Sequence, residues 1–137
     1  MQVRSLMQTK LITATPETSL ATAERLMQAH HIRHLPVVSG KHLVGMISDR
    51  DLREALPSPA TTLAHGEIAY QMDTTPVKTC MTSDLVWTGA GVDMAQATRL
   101  LGQRHVSCLP ILENGQLVGI VTEMDCLRAF LDSVDTT

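Results

Sequence analysis

The feature that most constrains this chain is an internal repeat. Residues 3–56 laid over residues 77–130 at a constant offset of 74 need no gap, and fifteen of the 54 paired positions are identical. Among the identities are Met7/Met81, His31/His105, Pro36/Pro110, Gly45/Gly119 and Asp51/Asp125. Other pairs keep their character, as Met46/Ile120 and Ser48/Thr122 do. A match that runs ungapped through polar and apolar stretches alike implies two copies of one structural unit.

Each copy predicts the same elements. "LITA" reads as a short strand, and "TSLATAERLMQAH" as a helix capped by Thr18 or Ser19. Leu20, Ala23, Leu26, Met27 and His30 recur at spacings of three and four, which places them on one helical face. "HLPVV" and "HLVGMIS" flank "SGK" as an antiparallel hairpin, echoed by "CLPIL", "ENG" and "QLVGIVT". A last helix runs from about Asp49 to Leu56, and from Glu123 to about Asp132. The expected fold is α+β (mixed α/β), built from two β-α-β-β-α copies related by a pseudo-twofold and packed through their sheets. Residues 1–56 form copy one, 57–76 a linker with a short helix near Ala64–Met72, 77–132 copy two, and 133–137 a tail. A copy of about fifty residues is too small to bury an adequate core alone.

Composition removes several function classes. The net charge is −3 and no Lys/Arg block occurs, so backbone-driven nucleic-acid binding is not expected. No apolar run is long enough to span a bilayer. Three cysteines, Cys80, Cys108 and Cys126, show no CxxC spacing, so neither a disulfide framework nor a zinc knuckle is predicted, and a reducing cytoplasm is the expected location. His30, His31 and His34 lack acidic or cysteine companions at metal spacing, so no metal site is expected. His105 and Cys108 have no third group to orient them as a base and nucleophile. There is no phosphate-cleaving GxxxxGK[ST] loop either.

The stretches "GMISDRD" and "GIVTEMD" hold the candidate site. Ser48 with Asp51, and Thr122 with Asp125, fit the outline of a capping box, in which a hydroxyl and a carboxylate satisfy the first turn of a helix. The same pair also suits a sugar. A carboxylate beside free backbone N–H groups can accept both hydroxyls of a ribose diol, as acidic residues do in dinucleotide folds. Gly45 and Gly119 either let another backbone approach or relieve crowding on the strand. On the residues alone, both readings stand.

The tandem "G-h-h-S/T-x-x-D" motifs, each preceded by an "h-P-h-h" strand, resemble cystathionine β-synthase (CBS) domains over residues 3–132. "HHIRHLPVV…LVGMISDRDLREALPS" is especially similar to standalone CBS proteins of the acetoin-utilisation type. The resemblance implies a regulatory pair, not an enzyme, that senses an adenosyl nucleotide (AMP, ADP or ATP, with S-adenosylmethionine as the variant) and needs no obligatory cofactor. It places Ser48, Asp51, Thr122 and Asp125 at ribose and phosphate. Thr13, Ala14 and Ile32 would complete the Asp125 cleft with Ile120, whereas Trp87, Thr88 and Val106 would complete the Asp51 cleft. Arg33 and His34 would face the phosphates, and Arg33 offers the planar donor fork that suits them. It further implies a homodimer acting on an effector protein that the sequence does not name; the rival is a ligand-free dimerisation or adaptor domain. Trp87 replaces Thr13 in the second copy and can stack on a base, fill the pocket or pack as core. The Asp125 cleft, with its "ITAT" wall, is therefore expected to be the better of the two.

Overall fold

The computed structural model describes residues 1–56 and 65–135; the start of the predicted linker, 57–64, and the last two residues of the tail lie outside them. The fold is mixed α+β. Its helices are α1 (Leu20–His30), α2 (Asp49–Ala55), α3 (His65–Thr74), α4 (Met94–Arg104) and α5 (Glu123–Asp135). Its strands are β1 (His34–Ser39), β2 (His42–Ser48), β3 (Thr88–Gly89), β4 (Cys108–Glu113) and β5 (Gln116–Thr122). No helix among the described residues is long and apolar enough to cross a membrane.

The chain divides into two compact units that are not the two sequence copies. One is contiguous, Ile12–Leu85; the other is split, joining Met1–Leu11 to Val86–Thr137. The leading segment of each copy is therefore built into the unit that contains the other copy's helices and hairpin.

In the contiguous unit, Ser19 caps α1 by accepting the Thr22 N–H at 3.1 Å. α1 buries Leu20, Ala23 and Met27 against Leu35 and Val37 of β1, Ile47 of β2 and Leu52 of α2. Each buried Leu, Ile, Val or Met among them contributes about 1.5–3 kcal/mol. Val77, wholly buried, completes the core. Its segment is tied down where the Val77 N–H donates to the Thr18 carbonyl at 2.7 Å and Leu20 donates to Thr75 at 2.9 Å. β1 and β2 form the predicted hairpin, which turns at Gly40 with φ +63°.

The "LITA" strand is reduced to one bridge. Ala14 alone pairs with Val37, in parallel, because the chain turns immediately afterwards as the Thr15 N–H donates to Thr18 Oγ1 at 3.0 Å. The counterpart in the split unit is the two-residue β3, parallel to Ile111 and Leu112 of β4.

The split unit repeats the plan. Asp93 caps α4, its carboxylate accepting the Ala95 N–H at 2.8 Å. That bond, together with the nearby chain amino terminus, holds the Asp93 carboxyl below its ordinary range. Met94, Ala97 and Leu101 pack on Leu109, Ile111 and Val121, and the core is closed by Val3 from the leading segment. The β4–β5 turn has positive φ at Asn114 (53°) and Gly115 (78°), the pattern of a type I′ hairpin.

Both first helices end on a histidine in the left-handed region, His31 at φ 53° and His105 at φ 54°. Histidine is among the few non-glycine types enriched there. The shared histidine is thus a helix stop. His30, predicted on the apolar face of α1, is exposed at its last position instead.

Candidate functional site

The site residues named from the sequence fall into both units. Thr13, Ala14, Ile32, Arg33, His34, Ser48 and Asp51 belong to the contiguous unit; Ile120, Thr122 and Asp125 belong to the split one.

In the contiguous unit, the open end of the hairpin gathers most of its set. His34 is the register partner of Ser48, and the Arg33 carbonyl accepts the Asp49 N–H at 2.9 Å. The start of α2 is thereby fixed beside the entry to β1, where Arg33 immediately precedes the strand and His34 opens it. Ser48 and Asp51 form a full capping box: the Ser48 N–H donates to Asp51 Oδ2 at 2.8 Å, and the Asp51 N–H donates to Ser48 Oγ at 3.1 Å. Asp51 is half-buried, and its Oδ1 takes no part in the box. Ala14 is buried beside β1, whereas Thr13 is exposed. Ile32 is half-buried and lines a groove of about 500 Å³ together with Met27, Asp49, Leu52 and Leu56.

In the split unit, Thr122 is the register partner of Cys108, and the Ser107 carbonyl accepts the Glu123 N–H at 3.1 Å. Asp125 lies in the first turn of α5 and is only 4% exposed, the one buried charged side chain among the described residues. Its Oδ2 accepts the Thr122 N–H at 2.8 Å and the Thr122 hydroxyl at 3.1 Å. Two further donors were invisible in the sequence. Gln8 Nε2 reaches both carboxylate oxygens, at 3.3 Å and 3.5 Å, and Arg128 Nη1 lies 3.4 Å from Oδ1. Gln8 is 117 positions away from Asp125, and no local pattern links them.

Beside this carboxylate, burial and then the Asp125 charge push the Cys108 thiol up to about 12. A thiol held neutral at this level is inert as a nucleophile.

Trp87, just before β3, is 53% exposed, which removes the core reading. It stands one residue before the two-residue β3, on a segment that pairs with β4 only from Thr88 onward. Gly45 and Gly119 also acquire their reason. A Cβ on Gly119 would lie 2.6 Å from Met7 Sδ and 3.2 Å from the Gln8 carbonyl oxygen, and one on Gly45 would meet Met81 in the same way. The glycines admit the leading segments, which bridge to the neighbouring residues as Gln8 with Ile120 and Thr82 with Met46.

Two hairpins of one design, each delivering a hydroxyl and a carboxylate to a helix start, are matched by the CBS domain model at residues 3–58 and again at 77–132. The chain belongs to the CBS domain family.

CBS domain-containing protein YhcV of Bacillus subtilis is 32% identical over 119 residues, covering 87% of this chain and 78% of its own. AcuB of Vibrio cholerae superposes with a TM-score of 0.81 at 26% identity, over 98% of this chain and 93% of its own. The CBS domain pair of protein MJ0100, solved with 5′-methylthioadenosine and S-adenosyl-L-methionine, gives 0.78 at 25% identity, over 95% and 99%. The inosine-5′-monophosphate dehydrogenase of Korarchaeum cryptofilum is 33% identical over 116 residues, but the CBS pair spans only 21% of that enzyme.

Proposed function

We propose that this CBS pair is a regulatory module that binds an adenosyl ligand, an adenine nucleotide first among them, and takes its ribose on the helix-start carboxylates. One observation carries the reading: the same hydroxyl–carboxylate pair, Ser48/Asp51 and Thr122/Asp125, stands at the same place in each unit. Capping explains one oxygen of Asp51, and leaves Oδ1 to receive a hydroxyl. The related MJ0100 pair, solved with two adenosyl compounds, supports the ligand class.

Arg33 and His34 are the phosphate-facing residues of this reading. Arg33 is exposed while its backbone is pinned to Asp49, so a guanidinium fork is offered from a fixed base. Thr13, Ala14, Ile32 and Ile120 are proposed for the adenine side on the family resemblance. Ligand binding acts on a partner by favouring one of two states for which it has unequal affinity. The module is proposed to work as a homodimer. Met124, Leu127, Phe130, Leu131 and Val134 lie along one face of α5 and are each 49–64% exposed; a second copy would cover them, and sedimentation equilibrium reads the answer.

Calorimetric titration with AMP, ATP and S-adenosylmethionine tests the function. At least one ligand is expected to bind, and Asp51→Asn or Asp125→Asn to weaken it by about 1.5–3 kcal/mol, the range for hydrogen bonds to a charged group. Absence of heat and of thermal stabilisation at millimolar ligand would leave the module as an adaptor without a ligand. Trp87 gives a second signal, since its exposed indole should be quenched if the adenine stacks on it.

A further inference from the structure

The two carboxylates at the helix starts are not equivalent, and the difference lies in two positions of the repeat. Gln8 pairs with Thr82 at the offset of 74, and Arg128 pairs with Glu54. Asp125 therefore has a carboxamide and a guanidinium beside it where Asp51 has a hydroxyl and a carboxylate at the matching positions. Glu54 bonds instead to Arg50, at 3.1 Å.

Gln8 is placed by its backbone and not by its side chain. Its N–H donates to the Ile120 carbonyl at 2.8 Å, and its carbonyl accepts the Ile120 N–H at 3.0 Å. The side chain crosses from this anchored point to straddle Asp125 Oδ1 and Oδ2 with one NH2 group. Two donor hydrogens shared between two carboxylate oxygens is also what a vicinal diol supplies. The amide contacts are long at 3.3 Å and 3.5 Å, Gln8 is an exposed residue, and its flexible side chain can swing to water without breaking the backbone bridge.

We propose that Gln8 is an internal occupant of the Asp125 grip, standing in for the ribose diol, so that a ligand reaches this carboxylate only by displacing the amide. Position 8 and its counterpart 82 then set the difference in affinity between the two grips, with Asp51 open and Asp125 self-occupied. The ordering expected from the "ITAT" wall is reversed. This inference rests on the ribose reading of the carboxylates.

Exchanging the two residues tests it. AMP is titrated into the intact protein and into Gln8→Thr, Thr82→Gln, and Gln8→Thr combined with Asp125→Asn. Removing one displaceable hydrogen-bonded group is expected to tighten the Asp125 event about fivefold. The wild type should show one strong and one weak event, and Gln8→Thr two of similar strength. The gain should disappear with Asp125→Asn, and also when 2′-deoxy-AMP replaces AMP, because the diol is then lost. Thr82→Gln should weaken the Asp51 event. Without ligand, Gln8→Thr should melt earlier than wild type, and AMP should recover more than the difference. If AMP binds in an Asp125-dependent way but Gln8→Thr leaves the affinity unchanged or lowers it, the internal-occupant role is overturned and the ribose reading survives. If no variant binds AMP, Gln8→Thr included, both fall together.

Discussion

Cys108 shows at the scale of one residue how the site's charge is felt by its neighbours. It replaces His34 in the second copy, is buried in β4, and faces the desolvated surroundings of Asp125. Its thiol is raised from 9.0 to about 12, so the folded protein keeps a proton that the unfolded chain releases in that interval. Below pH 9 both states hold the proton and the group has no effect on stability. Above it, the unfolded state is favoured by up to about 1.4 kcal/mol per pH unit. Urea denaturation from pH 8.5 to 11 should show a midpoint falling with pH, and Cys108→Ala should flatten that fall. A slope unchanged in the variant would assign the alkaline loss to other groups. Over the same range Cys108 should resist alkylation in the native state while the half-buried Cys80 and Cys126 react. None of this was legible beforehand: an odd cysteine in a strand says nothing of the carboxylate across the hairpin, since the pairing of Cys108 with Thr122 exists only once the register is set.

At the scale of elements, the sequence carried most of the layout. The hairpins, both first helices and the Ser48–Asp51 box follow from local chemistry, which acts over a few residues. The stop of α2 was also written locally. Pro57 restricts the residue before it, and Leu56 is extended at φ −70° and ψ 145°; Leu131 stands at the matching place in α5, which therefore runs on to Asp135. The "LITA" strand failed because a strand needs a continuing partner, and the Thr15–Thr18 turn removes the chain after one bridge. The glycine positions were legible as close approaches, but not the object approaching. That object gives a test. Gly119→Ala forces Met7 and the Gln8 carbonyl away from β5 and should cost about 1–3 kcal/mol. Met7→Ala added to it should recover part of that loss, measured as a double-mutant cycle in urea. Strict additivity would show that Met7 is not what the new methyl meets.

At the scale of the molecule, the sequence copy and the folding unit have different edges, and they can be separated by cutting. A fragment of residues 12–85 holds every residue of the contiguous core, including Val77, whereas residues 1–56 lack Val77 and carry Val3, which belongs to the other core. Circular dichroism should find cooperative melting for 12–85 and none for 1–56; the opposite result would make the repeat the stable unit. Likewise, removing residues 1–10 takes the wholly buried Val3 from the split unit. Loss of hydrogen-exchange protection is expected in β4 and β5 before β1 and β2. The repeat was plain in the sequence, but an offset of 74 aligns equally well whichever unit a leading segment joins.

The split unit also sets an order of events during synthesis. The contiguous unit is complete once Leu85 has left the ribosome, and it can close while the remainder is still being made. Residues 1–11 are translated before the contiguous unit but used after it, because Ile120, the β5 partner of Gln8, is translated more than a hundred residues after it. At about 5–20 residues per second, they wait roughly 6 to 22 seconds as an unpaired apolar segment bearing Val3, Leu6 and Met7. A pause in translation between Leu85 and Gln116 would lengthen that exposure, and a holdase that recognises short aliphatic segments would find its target there.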